Sequence, residues 1–195
     1  MLTPDILATF RGLLDEAKAS GEREPTAMNL ATVDGTGRVH SRIVLLKAVD
    51  EHGLQFFTNY ESDKAGQIAT HDQVALCFHW KNIRDGIQVR FEGRATKASA
   101  EVSDAYFASR PRGSQIGAWA SKQSQELPDR QTFEDRVAHY EREFDGRDVP
   151  RPPHWGGYVV APDRIEFWYG ATFRLHERIV HSEHGTSWTT RLLYP

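Results

Sequence analysis

The sequence has one cysteine in 195 residues, Cys77, so an intrachain disulfide is impossible and no paired-thiol redox motif exists. Cys77 sits in the apolar run from Val74 to Phe78 and is expected to be a buried core thiol. There is no basic excess. With 24 Lys and Arg against 27 Asp and Glu, the net charge of -3 excludes a nucleic-acid binder that relies on a broad positive face. Any role for cations must come from small clusters facing particular anions. No apolar run is long enough to span a bilayer and no secretory leader is present, so a cytoplasmic protein without membrane contact is expected. No strand leads through a Gly-rich phosphate loop into a helix, which leaves a Rossmann or P-loop site unsupported. The nine histidines show no recognised metal-ligand spacing. His181-x-x-His184 lacks a carboxylate or thiol partner, and His40, His52 and His71 fall near turns or helix ends; all read as surface residues, with no metal expected.

What is present is an ordinary globular composition, 39% hydrophobic and 26% charged, in a length that suits one domain over residues 1–195. Thr3 to Ala19 begins with a capping residue and a proline, and Ile6, Leu7, Phe10, Leu13, Leu14 and Ala17 recur at helical spacing until Gly21. Residues 1–21 therefore form a packing helix. Thr26 to Val33, His40 to Lys47 and Leu54 to Asn59 are β-type runs separated by Asp-Gly and His-Gly turns, and they predict an antiparallel meander. Ser62 caps a short helix to His71, and Val74 to Trp80 and Ile87 to Lys97 supply two more strands. Ser99 caps a helix to about Ser109 that sets Tyr106 and Arg110 one turn apart. Phe133, Val137, Tyr140 and Phe144 mark a further helix, the prolines 150, 152 and 153 a stiff connector. Gly157 to Ala161, Ile165 to Tyr169, Arg174 to His181 and Trp188 to Leu193 close the chain as strands. The sum is mainly β with flanking helices, an antiparallel barrel or sandwich.

Between these elements lies a Gly- and Pro-punctuated loop, Tyr106 to Ser124, that concentrates cations, hydroxyls and amides. Arg110 and Arg112 can each grip a phosphate through several N–H groups, Ser114, Ser121 and Ser124 offer hydroxyls, and Trp119, Ile116 and Tyr106 give the segment apolar surface to pack down. On the strand from Arg42 to Lys47, alternation sends Arg42, Val44 and Leu46 to one face and Ile43, Leu45 and Lys47 to the other, so the two cations meet different anions.

Arg110-Pro111, the run Ser-Gln-Ile-Gly-Ala-Trp from Ser114 to Trp119, and Gln123-Ser124 together resemble the signature of the pyridoxamine 5'-phosphate oxidase family. Arg42 to Lys47, and Glu166-Phe167-Trp168 followed by Arg174-Leu175-His176-Glu177-Arg178, resemble that family's other two motifs in the expected order. The resemblance implies a six-stranded antiparallel FMN-binding split β-barrel, homodimeric with both flavins at the subunit interface. Strands from residues 150–195 would complete the active site. It implies a flavin shell of Arg42, Ile43, Val44, Leu45, Leu46, Lys47, Phe57, Thr58, Lys64, Gln88, Gln123, Ser124, Trp168 and Arg178. Arg42, Lys64, Gln123 and Ser124 fall at its phosphate end. Lys47, Tyr106, Arg110 and Ser114 carry over as the clamp for the phosphate of pyridoxine or pyridoxamine 5'-phosphate. Arg174, Leu175 and His176 carry over at the substrate ring, with Arg174 and His176 as the catalytic pair. On a strand those two would share a face, guanidinium over the pyridine and imidazole at its polar substituents. The implied reaction oxidises C4' through the flavin, with O2 as acceptor and H2O2 released, and yields pyridoxal 5'-phosphate.

The chain departs from the family pattern at Asp63, where a basic residue is common, at Phe57 in place of a frequent Tyr, and at Ile87 in place of Arg. The segment Trp80 to Gln88 also runs two residues longer, with Arg84 a possible substitute for the missing cation, and the arm before the first helix is nearly absent. Two other readings stay open: a split-barrel flavin oxidase of another ring, such as a phenazine precursor, and a noncatalytic flavin- or pyridoxal-phosphate-binding protein. The first would leave the clamp's charges unpaired. The second would have no use for Arg174 and His176.

Overall fold

In the computed structural model, which describes residues 1–195, the Thr3 hydroxyl accepts a hydrogen bond from the Ile6 N–H at 3.3 Å and opens helix α1, Pro4–Ala19. One face of α1 buries Ile6, Phe10, Leu13, Leu14 and Ala17. Phe10 meets Phe91 edge-on at 5.0 Å and lies 5.2 Å from Phe78, so the helix plugs the main core. Burying such a ring is worth about 1.5–3 kcal/mol.

The strands are β1 (Ala27–Val33), β2 (Val39–Leu45), β3 (Ala48–Asp50), β4 (Gly53–Asn59), β5 (Gln73–Trp80), β6 (Ile87–Lys97), β7 (Trp155–Tyr169), β8 (Glu177–His184) and β9 (Ser187–Leu193). They form one antiparallel sheet in the order β2-β1-β5-β6-β7-β4-β3, with β8 and β9 branching from β7. β2 approaches β4 without a ladder, so the six strands from β2 to β4 make a barrel with one open seam. That is the split barrel the motifs imply.

Several expectations need correction. The first strands are not a meander: the β1–β2 and β3–β4 hairpins stand at opposite ends of the order, because the chain crosses the seam at Leu46 and Lys47. There the Leu46 N–H bonds to Thr26 O on one side and the Lys47 N–H to Gln55 O on the other. The two strands expected at 157–161 and 165–169 are one, β7. Its register against β6 shifts by one residue between Glu92 and Gly93, opposite Pro162. A bulge accommodates a proline inside a paired strand, and Gly93 permits the close approach, since a Cβ there would lie 2.2 Å from Ala161 O. Arg174, Leu175 and His176 precede β8 instead of starting it, and Arg174 ends a short 3-10 helix, Thr172–Arg174. Cys77 is half-buried, not core: alternation on β5 buries Val74, Leu76, Phe78 and Trp80 and turns the thiol to the other face. His181, read as a surface residue, is likewise half-buried, with its ring 5.7 Å from Phe167.

The other helices are α2 (Asp63–Thr70), α3 (Ala100–Ala108), α4 (Arg112–Ala120) and α5 (Arg130–Glu143). The last three enclose a second core of Phe107, Ile116, Ala118, Phe144, Val149 and Trp155. The stretch expected as a loop is largely α4, started by Pro111. No helix is long and apolar enough to cross a membrane.

Candidate active site

A cavity of about 740 Å³ opens where the seam crossing, the end of β4 and helices α3 and α4 converge. Each wall follows from local structure. Ile43, Val44, Leu45 and Lys47 reach it from the end of β2 and the crossing, and Phe57, Thr58 and Asn59 from β4. Ser114, Gly117, Ala118 and Ser121 follow one face of α4 and its C-cap, and these small residues let a ligand lie close to the helix. Tyr106 and Arg110 both line the cavity, although Arg110 lies beyond the end of α3.

The floor is aromatic. Tyr106 stacks on Phe57 at 4.0 Å, Phe57 lies parallel to Trp155 at 5.5 Å, and the Arg110 guanidinium sits 4.6 Å over the Trp155 ring. Arg110 Nη1 is buried without a hydrogen-bond partner. Burial holds its pKa below the ordinary arginine value, against the opposing pull of Tyr106. An unpartnered buried donor costs about 1–3 kcal/mol and fits a site completed by an anion.

A second group of cations borders this cavity. Lys64 donates to Gln123 Oε1 at 2.8 Å, Thr58 Oγ1 at 3.1 Å and Ser62 Oγ at 3.2 Å. Arg42 does not line the cavity; it donates to Thr32 Oγ1 at 2.5 Å, to Gln67 Oε1 at 2.9 Å and to Leu30 O at 3.1 Å. All these partners are neutral. Burial, and then the Arg42 charge, lowers the Lys64 pKa, while Asp63 opposes; burial likewise lowers Arg42. Two half-buried cations repelling one another through neutral neighbours fit a phosphate group as their missing counter-ion. Ser124, with φ of 72°, does not line the cavity and accepts from the Asp63 N–H at 3.2 Å, while the Leu46 side chain is buried in the core.

The remaining expected residues lie elsewhere, on the β6–β7–β8 part of the sheet. Gln88 pairs with Trp168, and Trp168 pairs with Arg178. Glu166, 2% exposed, accepts from Arg178 Nε at 2.7 Å and lies 3.5 Å from Arg90 and 4.0 Å from Arg164. Burial pushes the Glu166 carboxyl up, but the hydrogen bond and charge of Arg178, with Arg90 and Arg164, outweigh it and leave the pKa low. Trp168 packs 4.4 Å from the His176 ring, and the Ala171 N–H donates to His176 Nδ1 at 3.1 Å. Phe173 and Arg174 hold φ of 56° and 61°, and Phe173, Arg174 and Leu175 are exposed. None of these residues lines the cavity.

Two expected anion contacts are otherwise engaged. Arg112 donates to Phe144 O at 2.6 Å and Arg147 O at 2.8 Å, stapling α4 to the end of α5. Arg84 pairs with Glu16 at 2.8 Å and stacks on Tyr169, so its charge is met within the chain. Sequence reading missed Trp155, the platform under Arg110, and Gln67, which aims Arg42. Buried Gln67 is one helical turn from Lys64 on α2, a spacing that could have drawn notice.

The seamed barrel and its cationic, aromatic-floored cavity define a split-barrel protein built to hold phosphorylated ring compounds. Residues 14–142 match the family model described as pyridoxamine 5'-phosphate oxidase, and residues 155–195 match the pyridoxine 5'-phosphate oxidase C-terminal dimerisation region. The chain belongs to the pyridoxamine 5'-phosphate oxidase family. A pyridoxine/pyridoxamine 5'-phosphate oxidase of Xanthomonas campestris pv. campestris (strain 8004) is 54% identical, covering 100% of this chain and 98% of its own. One from Myxococcus xanthus (strain DK1622) is 47% identical over 100% and 94%. Among solved structures, PhzG from Burkholderia lata 383 in complex with tetrahydrophenazine-1-carboxylic acid superposes with a TM-score of 0.92 at 28% identity, covering 100% of this chain and 98% of that one. An FMN-binding protein from Nostoc punctiforme shares the fold, with a TM-score of 0.77 at 18% identity.

Proposed function

We propose that this protein oxidises pyridoxine 5'-phosphate and pyridoxamine 5'-phosphate to pyridoxal 5'-phosphate as an FMN-dependent homodimer. The observation that carries this reading is the unpartnered Arg110 Nη1, set beside Lys47, Tyr106 and Ser114 in one cavity. Two cations and two hydroxyls suit one phosphate dianion, and gripping the substrate by that group fixes where its ring lies. Lys64 and Arg42, with Gln123 and Thr58, would hold the FMN phosphate, and Ile43 to Leu45 the flank of the cofactor. When bound, FMN accepts the hydride from C4' and passes its electrons to O2, giving H2O2.

Gln88, Trp168, Arg174, Leu175, His176 and Arg178 do not reach the cavity of their own chain, and all but Gln88 belong to the matched dimerisation region. We assign them to the cavity of the opposite subunit, which places FMN at the interface. Arg174 then lies over the substrate ring and His176 at its polar edge. The ligand of the Burkholderia protein offers a carboxylate, with one charge and two oxygens, where the clamp presents two cations and two hydroxyls, and would leave that clamp only partly paired.

The test is an anaerobic titration of the FMN-loaded protein with pyridoxine 5'-phosphate, followed by air. Bleaching of the flavin with aldehyde formation, reversed by oxygen, is expected. Ligand binding with the flavin still oxidised would instead favour a noncatalytic binder.

A further inference from the structure

The β7–β8 connection holds His176 in one tautomer. Its start is pinned by the Gly170 N–H to Gly86 O at 2.8 Å, and Gly170 is required there because a Cβ would lie 1.9 Å from Asp85 O. From that fixed point the next amide, Ala171 N–H, points at His176 Nδ1 at 3.1 Å, and Trp168 packs 4.4 Å from the imidazole. A backbone N–H can only donate, so Nδ1 must accept and the single proton of the neutral ring resides on Nε2. A proton on Nδ1 would set two donors face to face. Nε2 has no partner within the chain.

We infer that His176 serves the reaction as a hydrogen-bond donor through Nε2–H, held in that state by the Ala171 amide, and not as the base that removes a proton from substrate. This rests on the proposed placement of His176 at the substrate ring. The acceptor it suits is the ring's 3-oxygen, beside the reacting C4' carbon. When C4' gives up its hydride, the proton released from the alcohol or ammonium goes to water. Ala171 is the positioning residue, acting through its backbone.

Two measurements test this. In FMN-loaded protein with isotopically labelled histidine imidazoles, long-range proton–nitrogen correlations report each ring's tautomer, and His176→Gln assigns the signal. The expected result is a bare, hydrogen-bonded Nδ1 and a protonated Nε2 whose proton resonance moves when pyridoxine 5'-phosphate is added. A protonated Nδ1 at neutral to mildly alkaline pH overturns the inference. An Nε2–H that ignores the ligand also overturns the donor role, and shows that His176 was misplaced at the ring. The second measurement compares side chains that keep one nitrogen's role each. His176→Asn keeps an acceptor for the Ala171 amide but loses the outward donor, and is expected to raise KM for pyridoxine 5'-phosphate about tenfold or more. His176→Gln keeps a donor near Nε2 and should stay within about threefold, with kcat falling less than KM rises for Asn. Equal, large losses of kcat in both variants would mean that the imidazole moves a proton, and the inference would fail.

Discussion

Two clusters of cations in this molecule are arranged in opposite ways. On the sheet, Arg90, Arg164 and Arg178 surround the buried Glu166 carboxylate, and Glu92 pairs with Arg90 at 2.7 Å and Arg164 at 3.2 Å, so each guanidinium has a carboxylate partner within the chain. In and beside the cavity, Arg110, Lys64 and Arg42 have neutral oxygens or no hydrogen-bond partner, and burial lowers the pKa of each. Paired charges hold a scaffold in place; unpaired ones, half-buried at a cost in stability, suit an anionic ligand. Arg178 stands between the two, fixed by Glu166 and assigned to the flavin.

Deleting charge from the two regions is therefore expected to have opposite consequences. The largest effect is expected for Glu166→Ala, which removes the only carboxylate partner of Arg178 and leaves Arg90 and Arg164 to share Glu92. Removing one partner of a buried pair costs about 3–5 kcal/mol, and the partial exposure of these arginines puts this case near the lower end, roughly 10 °C in Tm. Calorimetry checks it, and an unchanged Tm would remove the distinction. Arg110→Ala should weaken pyridoxine 5'-phosphate by about 10–150-fold, the worth of a hydrogen bond to a charged group, while leaving Tm equal or higher. Equal weakening of FMN in a fluorescence titration would show that the clamp serves the other anion.

Gly170→Ala sharpens the comparison from the backbone. The added Cβ meets Asp85 O at 1.9 Å, so the connection must shift. A loss of about 1–3 kcal/mol in a denaturant titration is expected, together with a raised KM, since Arg174 and His176 move with the loop. Lys64→Met should weaken FMN about tenfold and raise the melting temperature of the FMN-free protein, because a repelled half-buried cation is gone. The smallest effect is on pH dependence. Burial holds His181 below its ordinary 6.5, so its neutral form contributes stability that is present above that pH and lost as pH falls through the folded-state value. Glu166, held low, adds a loss of the same sign further into acid, as pH falls from its ordinary 4.5. Urea midpoints measured from neutral pH downward should decline, and His181→Gln should flatten the first part of that decline.

Much of this architecture could be read in advance where a local rule applied. Thr3 caps α1, β5 and β6 fall within a residue of their expected ends, and Ser99 accepts from the Val102 N–H as a cap should. The errors share a cause. α4 looked like a loop because Pro111, Gly113 and Gly117 are poor helix formers, yet Pro111 begins the helix, Ile116 is buried and Gly117 faces the cavity. β7 looked like two strands because a proline interrupts it, and the bulge that tolerates Pro162 is a property of the pair, not of either strand. Arg112 read as a phosphate ligand because no local signal reveals that the carbonyls of Phe144 and Arg147 lie within its reach.

By itself the sequence determined most of the elements, the family and the residue types of the clamp, since caps, alternation and motif spacing are short-range properties of a chain. Only the tertiary structure decided which cations keep a carboxylate and which remain open. It also decided that Trp155 lies under Arg110, and that His176 has one nitrogen committed and one free. These depend on groups brought together from distant parts of the chain, where burial and hydrogen-bond geometry set the chemistry.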